Sequence, residues 1–382
     1  MGDIDPLEVD DDKYGKHAAK SRAQTFTAIA VTCAVLLFLG NVVLSVYKPH
    51  ARASGAGGDS LYKGVAANGP AKKPATRGLA GASASARFQQ MGIPGGFNDR
   101  IEELIKTTGC TTNFFLAWTT PAEQFSLRYR RTVESTLRFH PHSCVIVLSN
   151  TLPKDYFQTF WNLGYNIIVE RPDSEKLLKG TPAEAWLTNI AVWKEGPFFF
   201  SHITEILRLS TLWHYGGVYL DTDVIIMKAL KPDLQNCLGT ELAGKYGEAK
   251  VLNGAILIFE KGSRFVWEAM VEFNTTYRID SWGWNGPELV TRVARRFQHY
   301  EQLDKDNKKK QGTKPRKLFY SGQQESDMGM KDLTILPTDA FYPIHWARVK
   351  KYFSLSEPQD QYEVWDRIQK HTYLFHYWNK VG

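Results

Sequence analysis

The residues with the clearest chemical signature are Asp221 and Asp223, which follow the run Gly216-Gly217-Val218-Tyr219-Leu220. We predict a strand over Val218–Met227 that contains both aspartates, so that their carboxylates lie on one face. Two such carboxylates repel each other unless a cation lies between them. Mg²⁺ and Mn²⁺ prefer oxygen ligands and keep coordination positions open for phosphate oxygens. The pair therefore predicts a metal–diphosphate site.

The element that must position this strand is the helix before it, which we predict over Ile203–His214. His202, Glu205 and Arg208 follow one another at intervals of three and form a polar edge along that helix. Gly216-Gly217 ends the helix, directly before the predicted strand.

Upstream of the aspartates, apolar runs alternate with segments of helical spacing. We predict strands over 113–118, 144–148 and 166–169, and helices over 121–139 and 155–163. This alternation indicates an α/β domain with a mostly parallel central sheet, whose ligands bind at the carboxyl ends of the strands. Further strands are predicted over 251–259, 333–336 and 372–375, and helices over 263–277 and 287–299.

The N-terminal region predicts a membrane anchor. No charged residue occurs in 23–47, which is long enough to span a bilayer, and Lys13, Lys16, Lys20 and Arg22 precede it. We therefore predict a cytoplasmic tail over 1–22, a transmembrane helix over 23–47 and a lumenal remainder. A cleaved signal peptide is disfavoured because the leading segment carries six acids and the apolar stretch is too long.

Residues 48–108 are rich in Ala, Gly, Ser, Lys and Pro, and we predict a flexible stem there, followed by the catalytic domain over 109–382. The run 304–317, within a predicted basic polar insert over 302–330, carries +5 of the net charge of +7, so the charge is not interpreted as a nucleic-acid surface. Cys110, Cys144 and Cys237 would be lumenal and allow at most one internal disulfide. The sequon at Asn274 agrees with a lumenal domain.

Five blocks in a fixed order resemble a known enzyme family. They are Ser201-His202-x-x-Glu205-x-x-Arg208 with Gly216–Asp223, Val251–Ala255, Asn285-Gly286-Pro287 with Val290–Val293, Ala340–Trp346, and His376-x-Trp378-Asn379-Lys380. The pattern resembles the DXD-containing glycosyltransferases that include α-1,4-galactosyltransferase (globotriaosylceramide synthase) and α-1,4-N-acetylglucosaminyltransferase. Thr181–Trp186 and the Ala117–Ser135 region are most similar to the plant members. The likeness extends from Asn113 to the end.

The resemblance implies a single nucleotide-binding domain of the GT-A type and a retaining, Mn²⁺- or Mg²⁺-dependent transferase in the Golgi membrane. Its expected partners are a nucleotide sugar and a glycan or glycolipid acceptor, without nucleic acid. It implies Asp221, Asp223 and His376 as metal ligands. The implied catalytic residues are Asp221, Asp223, Arg208, Glu205 and Asn285, and the implied nucleotide-sugar contacts are Asp221, Asp223, Tyr219, Gly217, Asn253, Gly254, Gly286 and Pro287. The family usually has an aspartate in place of Glu205.

Several alternatives remain open at this point. A catalytically inactive Golgi membrane protein with the same fold would share the pattern, whereas a DXD-type phosphatase is disfavoured by the three strands before the motif. Trp282 and Trp284 fit either a sugar-stacking loop or the core. A homo- or hetero-oligomer is one of the open possibilities for the assembly.

Overall fold

The first half of the domain alternates strands and helices, as its apolar pattern predicts. The computed structural model describes residues 95–297, 333–353 and 358–378. The strands are β1 (Asn113–Trp118), β2 (Cys144–Ser149), β3 (Asn166–Glu170), β4 (Gly217–Leu220), β5 (Val224–Ile226), β6 (Cys237–Ala243), β7 (Ala249–Phe259), β8 (Thr334–Leu336) and β9 (Leu374–His376). The helices are α1 (Phe97–Thr108), α2 (Leu127–Phe139), α3 (Gln158–Asn162), α4 (Ser174–Leu178), α5 (Ile190–Trp193), α6 (Phe199–Tyr215), α7 (Arg264–Thr276), α8 (287–297), α9 (Thr338–Phe341), α10 (Trp346–Phe353) and α11 (Pro358–His371).

Seven strands form the central sheet in the order β3-β2-β1-β4-β7-β6-β8. The neighbours β3, β2, β1 and β4 pair in parallel, and β6 pairs in parallel with β8. Among the described strands of this sheet, β7 alone runs opposite to the rest, antiparallel to its neighbours β4 and β6. The predicted α/β class with a mostly parallel sheet is confirmed. Strands β5 and β9 form a separate two-stranded antiparallel sheet.

Apolar cores cover both faces of the sheet because successive side chains of each strand point to opposite sides. Phe115 contributes to the core beneath α1, α6, α7 and α8, whereas its neighbours Phe114 and Leu116 contribute to the core on the α2 side. Every residue of β2 is buried, as expected for a parallel strand with helices on both faces.

Helix α1 corrects the predicted stem over 48–108. Phe97, Ile101 and Leu104 are buried in the core of the domain, and Arg100 forms an ion pair with Glu170 at the end of β3. Residues 97–108 therefore belong to the domain. The Gly- and Ala-rich composition upstream led to the prediction of a stem, although the apolar side chains of 97–108 have helical spacing.

Cys110 and Cys144 form a disulfide that joins the chain just before β1 to the start of β2, and Cys237 is a buried free thiol. The sequon asparagine Asn274 lies near the end of α7. In the ranges described above, no helix is long and apolar enough to cross a bilayer. The predicted tail, anchor and basic insert (1–22, 23–47 and 302–330) lie outside these ranges, as does the stem up to residue 94.

Candidate active site

The two aspartates lie in a turn between two sheets, and the predicted single strand over Val218–Met227 is wrong. Strand β4 ends at Leu220, and β5 begins at Val224 in the two-stranded sheet. The Asp221 N–H donates to the Ala255 carbonyl at 2.8 Å, which holds the start of the turn against β7. The aspartates thus follow the carboxyl end of a parallel strand, where ligands of such sheets bind.

Two further contacts fix this aspartate turn (residues 221–223). The buried Thr132 hydroxyl on α2 donates to the Thr222 carbonyl at 2.6 Å. The Tyr377 N–H donates to the Asp223 carbonyl at 3.0 Å. Thr132 and Tyr377 were not predicted as site residues, because each acts through the backbone of a distant segment.

Strand β9 brings His376 to the aspartate turn. Pairing of β5 with β9 sets Val224 opposite His376, and His376 Nε2 lies 3.0 Å from Asp223 Oδ1. Burial alone would lower the pKa of His376, but the adjacent Asp223 carboxylate raises it. Burial raises the pKa of Asp221, against the opposing effect of Arg208.

The donor set fits a divalent cation. Asp221, Asp223 and His376 each offer one ligand atom, and these atoms lie within 4.8 Å of one another. Two ligand atoms of one ion are at most about 4.2 Å apart when each bond is about 2.1 Å, so the spacing of the three atoms is close to that of a single coordination shell. Two carboxylates with one imidazole suit Mn²⁺. The structure therefore brings together all three predicted metal ligands.

Arg208 on α6 connects the turn to Glu205. Its Nη2 lies 3.1 Å from Asp221 Oδ1, and its Nη1 lies 3.4 Å from Glu205 Oε2. The guanidinium stacks over the Tyr219 ring at 4.7 Å, and Tyr219 shares a hydrogen bond with Asp221. Burial raises the pKa of Glu205 to about 7, although Arg208 opposes the shift. Tyr219 is 1% exposed, so its ring forms a buried surface against which the Arg208 guanidinium packs.

Two predicted contact glycines make room for this pair. A Cβ at Gly254 would lie 3.0 Å from Arg208 Nη1, and one at Gly286 would lie 2.7 Å from Glu205 Oε1. Pro287 is the first residue of α8. Glycines at these positions therefore let β7 and the start of α8 approach the buried ion pair.

Asn253 connects the site to the carboxylate of Glu241, which was not predicted as a site residue. Its Oδ1 accepts from the Ala255 N–H at 2.7 Å, and its Nδ2 donates to Glu241 Oε2 at 2.8 Å. Glu241 lies on β6, a strand that was not predicted because Cys237–Ala243 lacks apolar alternation and contains a glycine. No local signal pointed to it.

Gly217 and Asn285 serve other contacts. Gly217 begins β4, about 13 Å from Asp221 at strand spacing, and a Cβ there would lie 2.3 Å from the Asn113 carbonyl. The Asn285 amide bonds the backbone of Arg278 and the ring of His202, and its side chain is buried. We therefore assign Gly217 to strand packing and Asn285 to holding the loop before α8.

The two loop tryptophans differ in exposure. The Trp284 ring lies between the guanidinium groups of Arg278 and Arg292, at 3.5 and 3.8 Å, and its indole N–H donates to the Thr276 carbonyl. Both of its faces are covered by guanidinium groups. Trp282 is 55% exposed and has a face available to solvent.

Comparisons with known proteins agree with this geometry. Residues 126–241 match the glycosyltransferase sugar-binding region containing the DXD motif, and 258–323 with 320–382 match the alpha 1,4-glycosyltransferase conserved region. Lactosylceramide 4-alpha-galactosyltransferase of Mus musculus is 32% identical over 275 residues, which cover 70% of this chain and 67% of the mouse enzyme. The chain belongs to the α-1,4-glycosyltransferase family.

Two other relatives show the breadth of this family. Alpha-1,4-N-acetylglucosaminyltransferase of Homo sapiens is 28% identical over 262 residues, 65% of this chain and 66% of that enzyme. An uncharacterized protein of Arabidopsis thaliana is 32% identical over 292 residues, which cover 75% of this chain but 41% of the longer plant protein. The chain is thus an enzyme of the α-1,4-galactosyl- and N-acetylglucosaminyltransferase type, and its mostly parallel sheet agrees with the implied GT-A-like fold.

Proposed function

We propose that the chain is a metal-dependent, retaining glycosyltransferase. It would move a hexose or N-acetylhexosamine from a UDP-linked donor to a glycan or glycolipid acceptor, in α-1,4 linkage, at the lumenal face of the Golgi membrane. The observation that carries the proposal is the convergence of Asp221, Asp223 and His376 at the carboxyl end of β4. Family membership supports glycosyl transfer as the reaction.

A cation held by Asp221, Asp223 and His376 would act as a Lewis acid toward the departing nucleotide diphosphate and orient it. The residues around it keep this ligand set in place. Arg208 balances the charge of Asp221 at 3.1 Å, and Thr132 and Tyr377 fix the backbone of the turn. Such preorganisation reduces the cost of aligning charged groups during the reaction.

Retention is explained by a front-face reaction. The acceptor hydroxyl oxygen forms the new bond to the anomeric carbon on the side from which the diphosphate departs, and its proton passes to a diphosphate oxygen. No protein nucleophile is required. The chain's contribution is to bind both substrates and to hold the acceptor hydroxyl near the anomeric carbon.

The substitution Asp223→Asn tests the metal assignment. It removes one charged ligand while keeping the side-chain size, so we expect Mn²⁺-dependent UDP affinity to fall by at least about 10-fold, since even outer-shell changes at metal sites cost about 10–100-fold. UDP binding is measured by calorimetry with Mn²⁺ and with EDTA, and folding by near-UV circular dichroism. The exposed Asp233→Asn is the matched control.

The same preparations identify the donor through slow hydrolysis of UDP-galactose, UDP-N-acetylglucosamine, UDP-N-acetylgalactosamine or GDP-mannose. UDP affinity that is equal with Mn²⁺ and with EDTA would remove the metal from the proposal. An absence of both nucleotide binding and hydrolysis would instead favour the inactive fold. Release of phosphate from a phosphomonoester would identify a phosphatase.

A further inference from the structure

One cavity of the domain is lined by none of the three candidate metal ligands. Its volume is about 710 Å³, within the range of about 300–1,000 Å³ that is typical of ligand pockets. Its walls come from the end of β6 and from residues within 338–352 and 361–367. We call it the Glu241 cavity, and its walls include Glu241, Tyr342, His345 and Arg348.

The Glu241 cavity and the metal site share a wall. The buried Tyr342 lines the cavity, its hydroxyl donates to the Asn253 carbonyl at 3.1 Å, and its ring centroid lies 5.8 Å from that of His376. Asn253 in turn donates to Glu241. A molecule in the cavity would therefore lie one side chain away from the predicted metal ligands.

The charges of the cavity walls do not suit a nucleotide diphosphate. The acidic wall residues are Glu241, Asp339 and Glu363, and the basic ones are Arg348 and Arg367. Without an excess of positive charge, the walls offer little attraction for a dianion. The donor is also expected elsewhere, at the carboxyl ends of the parallel strands. The balance of charges favours a neutral ligand with many hydroxyl groups.

The polar groups of the cavity fit such a ligand. Glu241 is 9% exposed, and while its Oε2 accepts from Asn253, its Oε1 lies 3.7 Å from His345 Nε2, beyond hydrogen-bond distance. A buried carboxylate oxygen is stabilised by further donors, which sugar hydroxyls supply. Trp346, the neighbour of the lining residue His345, is 46% exposed, and the two ring centroids lie 5.0 Å apart.

We propose that the Glu241 cavity is the acceptor-sugar subsite, in which Glu241 and Arg348 select the acceptor through hydrogen bonds to its hydroxyl groups. The inference rests on the proposed function, because it assigns the second substrate of that reaction. Glu241 receives the hydroxyls nearest the metal site, and the exposed Arg348 contacts the sugar at the outer wall.

Direct sugar binding is measured first, because it does not depend on turnover. Saturation-transfer NMR is recorded on the full chain with lactose, cellobiose and N,N′-diacetylchitobiose as probes. We expect at least one disaccharide to bind and Arg348→Gln to weaken it about 10-fold, the scale of one hydrogen bond to a charged group. Lys350→Gln, an exposed change on the same helix α10, is the matched control and is expected to have no effect.

Transfer assays then test selectivity with the donor found by hydrolysis. We expect Arg348→Gln to raise the acceptor KM about 10-fold with a donor KM changed by less than 2-fold. Glu241→Gln is expected to change the relative rates of the three acceptors by about 10-fold, whereas the exposed Glu248→Gln on the neighbouring turn leaves them unchanged. Thermal melts establish that each variant is folded.

Any one of three results would overturn the inference. The first is that no disaccharide binds the folded wild type, and the second is that Arg348→Gln binds the sugar as tightly as the wild type does. The third is that Arg348→Gln and Glu241→Gln both leave the acceptor KM and the ranking of acceptors unchanged. A parallel loss of donor hydrolysis and transfer in Glu241→Gln, with ranking unchanged, would show that Glu241 only positions Asn253. Failure of the proposed function has a different signature, since the wild type would hydrolyse no donor while sugar binding to the cavity is still measured.

Discussion

The stability of the Glu205→Gln variant, measured relative to the wild type, should be higher at pH 8 than at pH 5. Glu205 is buried beside Arg208, and burial raises its pKa from 4.5 to about 7. When pH rises from 4.5, the unfolded chain releases this proton first, while the folded chain retains it until about pH 7. The contribution of Glu205 to folding stability is therefore highest below pH 4.5 and falls as the pH rises through about 7.

The size of the effect follows from the two pKa values. The pKa of Glu205 is 4.5 in the unfolded chain and about 7 in the folded chain. Relative to low pH, this difference lowers the unfolding free energy of the wild type by about 1 kcal/mol at pH 5 and by about 3 kcal/mol at pH 8. Glutamine has nearly the same size, still offers an oxygen to Arg208, and does not titrate. The difference in unfolding free energy, Glu205→Gln minus wild type, should rise by about 2 kcal/mol between pH 5 and pH 8.

Urea unfolding of the variant and the wild type, in EDTA at pH 5 and at pH 8, measures this change. We call it the double difference: variant minus wild type at pH 8, minus the same quantity at pH 5. Contributions that the two proteins share cancel in it. Glu272→Gln is the matched control. Burial would raise the pKa of Glu272, but hydrogen bonds from Arg292 and Arg296 at 2.7 Å lower it below 4.5. Its contribution is lost only as pH falls below that value, so Glu272→Gln should be destabilised equally at pH 5 and pH 8. A double difference of zero for Glu205→Gln would refute the reasoning and show that Arg208 keeps Glu205 ionised.

Two further predictions concern the scaffold. Cys144→Ser opens a cross-link between positions 34 apart, which should lower the free energy of unfolding by about 3–4 kcal/mol in urea titrations; equal stability of oxidised and reduced wild type would contradict this. Thr132→Val removes the hydrogen bond to the Thr222 carbonyl and should cost about 1 kcal/mol of stability and up to about 10-fold in donor hydrolysis. Thr136→Val removes a hydrogen bond that is internal to α2, so it should lower stability without changing donor hydrolysis. An equal loss of hydrolysis in both variants would refute a specific role for Thr132.

The sequence predicted which residues converge better than it predicted the backbone around them. Asp221, Asp223 and His376 converge as expected. The strand through the aspartates was wrong because β-branched residues on both sides continue the apolar pattern, while contacts from Ala255 and Thr132 bend the chain. Such tertiary contacts leave no periodic signal in the segment they bend.

Glu241 illustrates the same limit for the candidate site. Its strand has register shifts against β7 and a glycine that fits against Phe341 and Tyr342, so its sequence does not alternate. The Glu205–Arg208 spacing, by contrast, was visible as an i, i+3 pair on one helix. Local spacing could be predicted, whereas neighbours brought together by the sheet could not.

The pairing of β5 with β9 has a consequence for the order in which the protein matures. His376 follows Asp223 by 153 positions and reaches it only when β9 docks on β5. Such a distant contact closes late, because a long loop must be ordered first. A growing chain that has already formed the seven-stranded sheet would still lack His376, the third of the proposed metal ligands. If these three residues hold a cation as proposed, full donor affinity would develop only after β9 has been synthesised and has docked on β5.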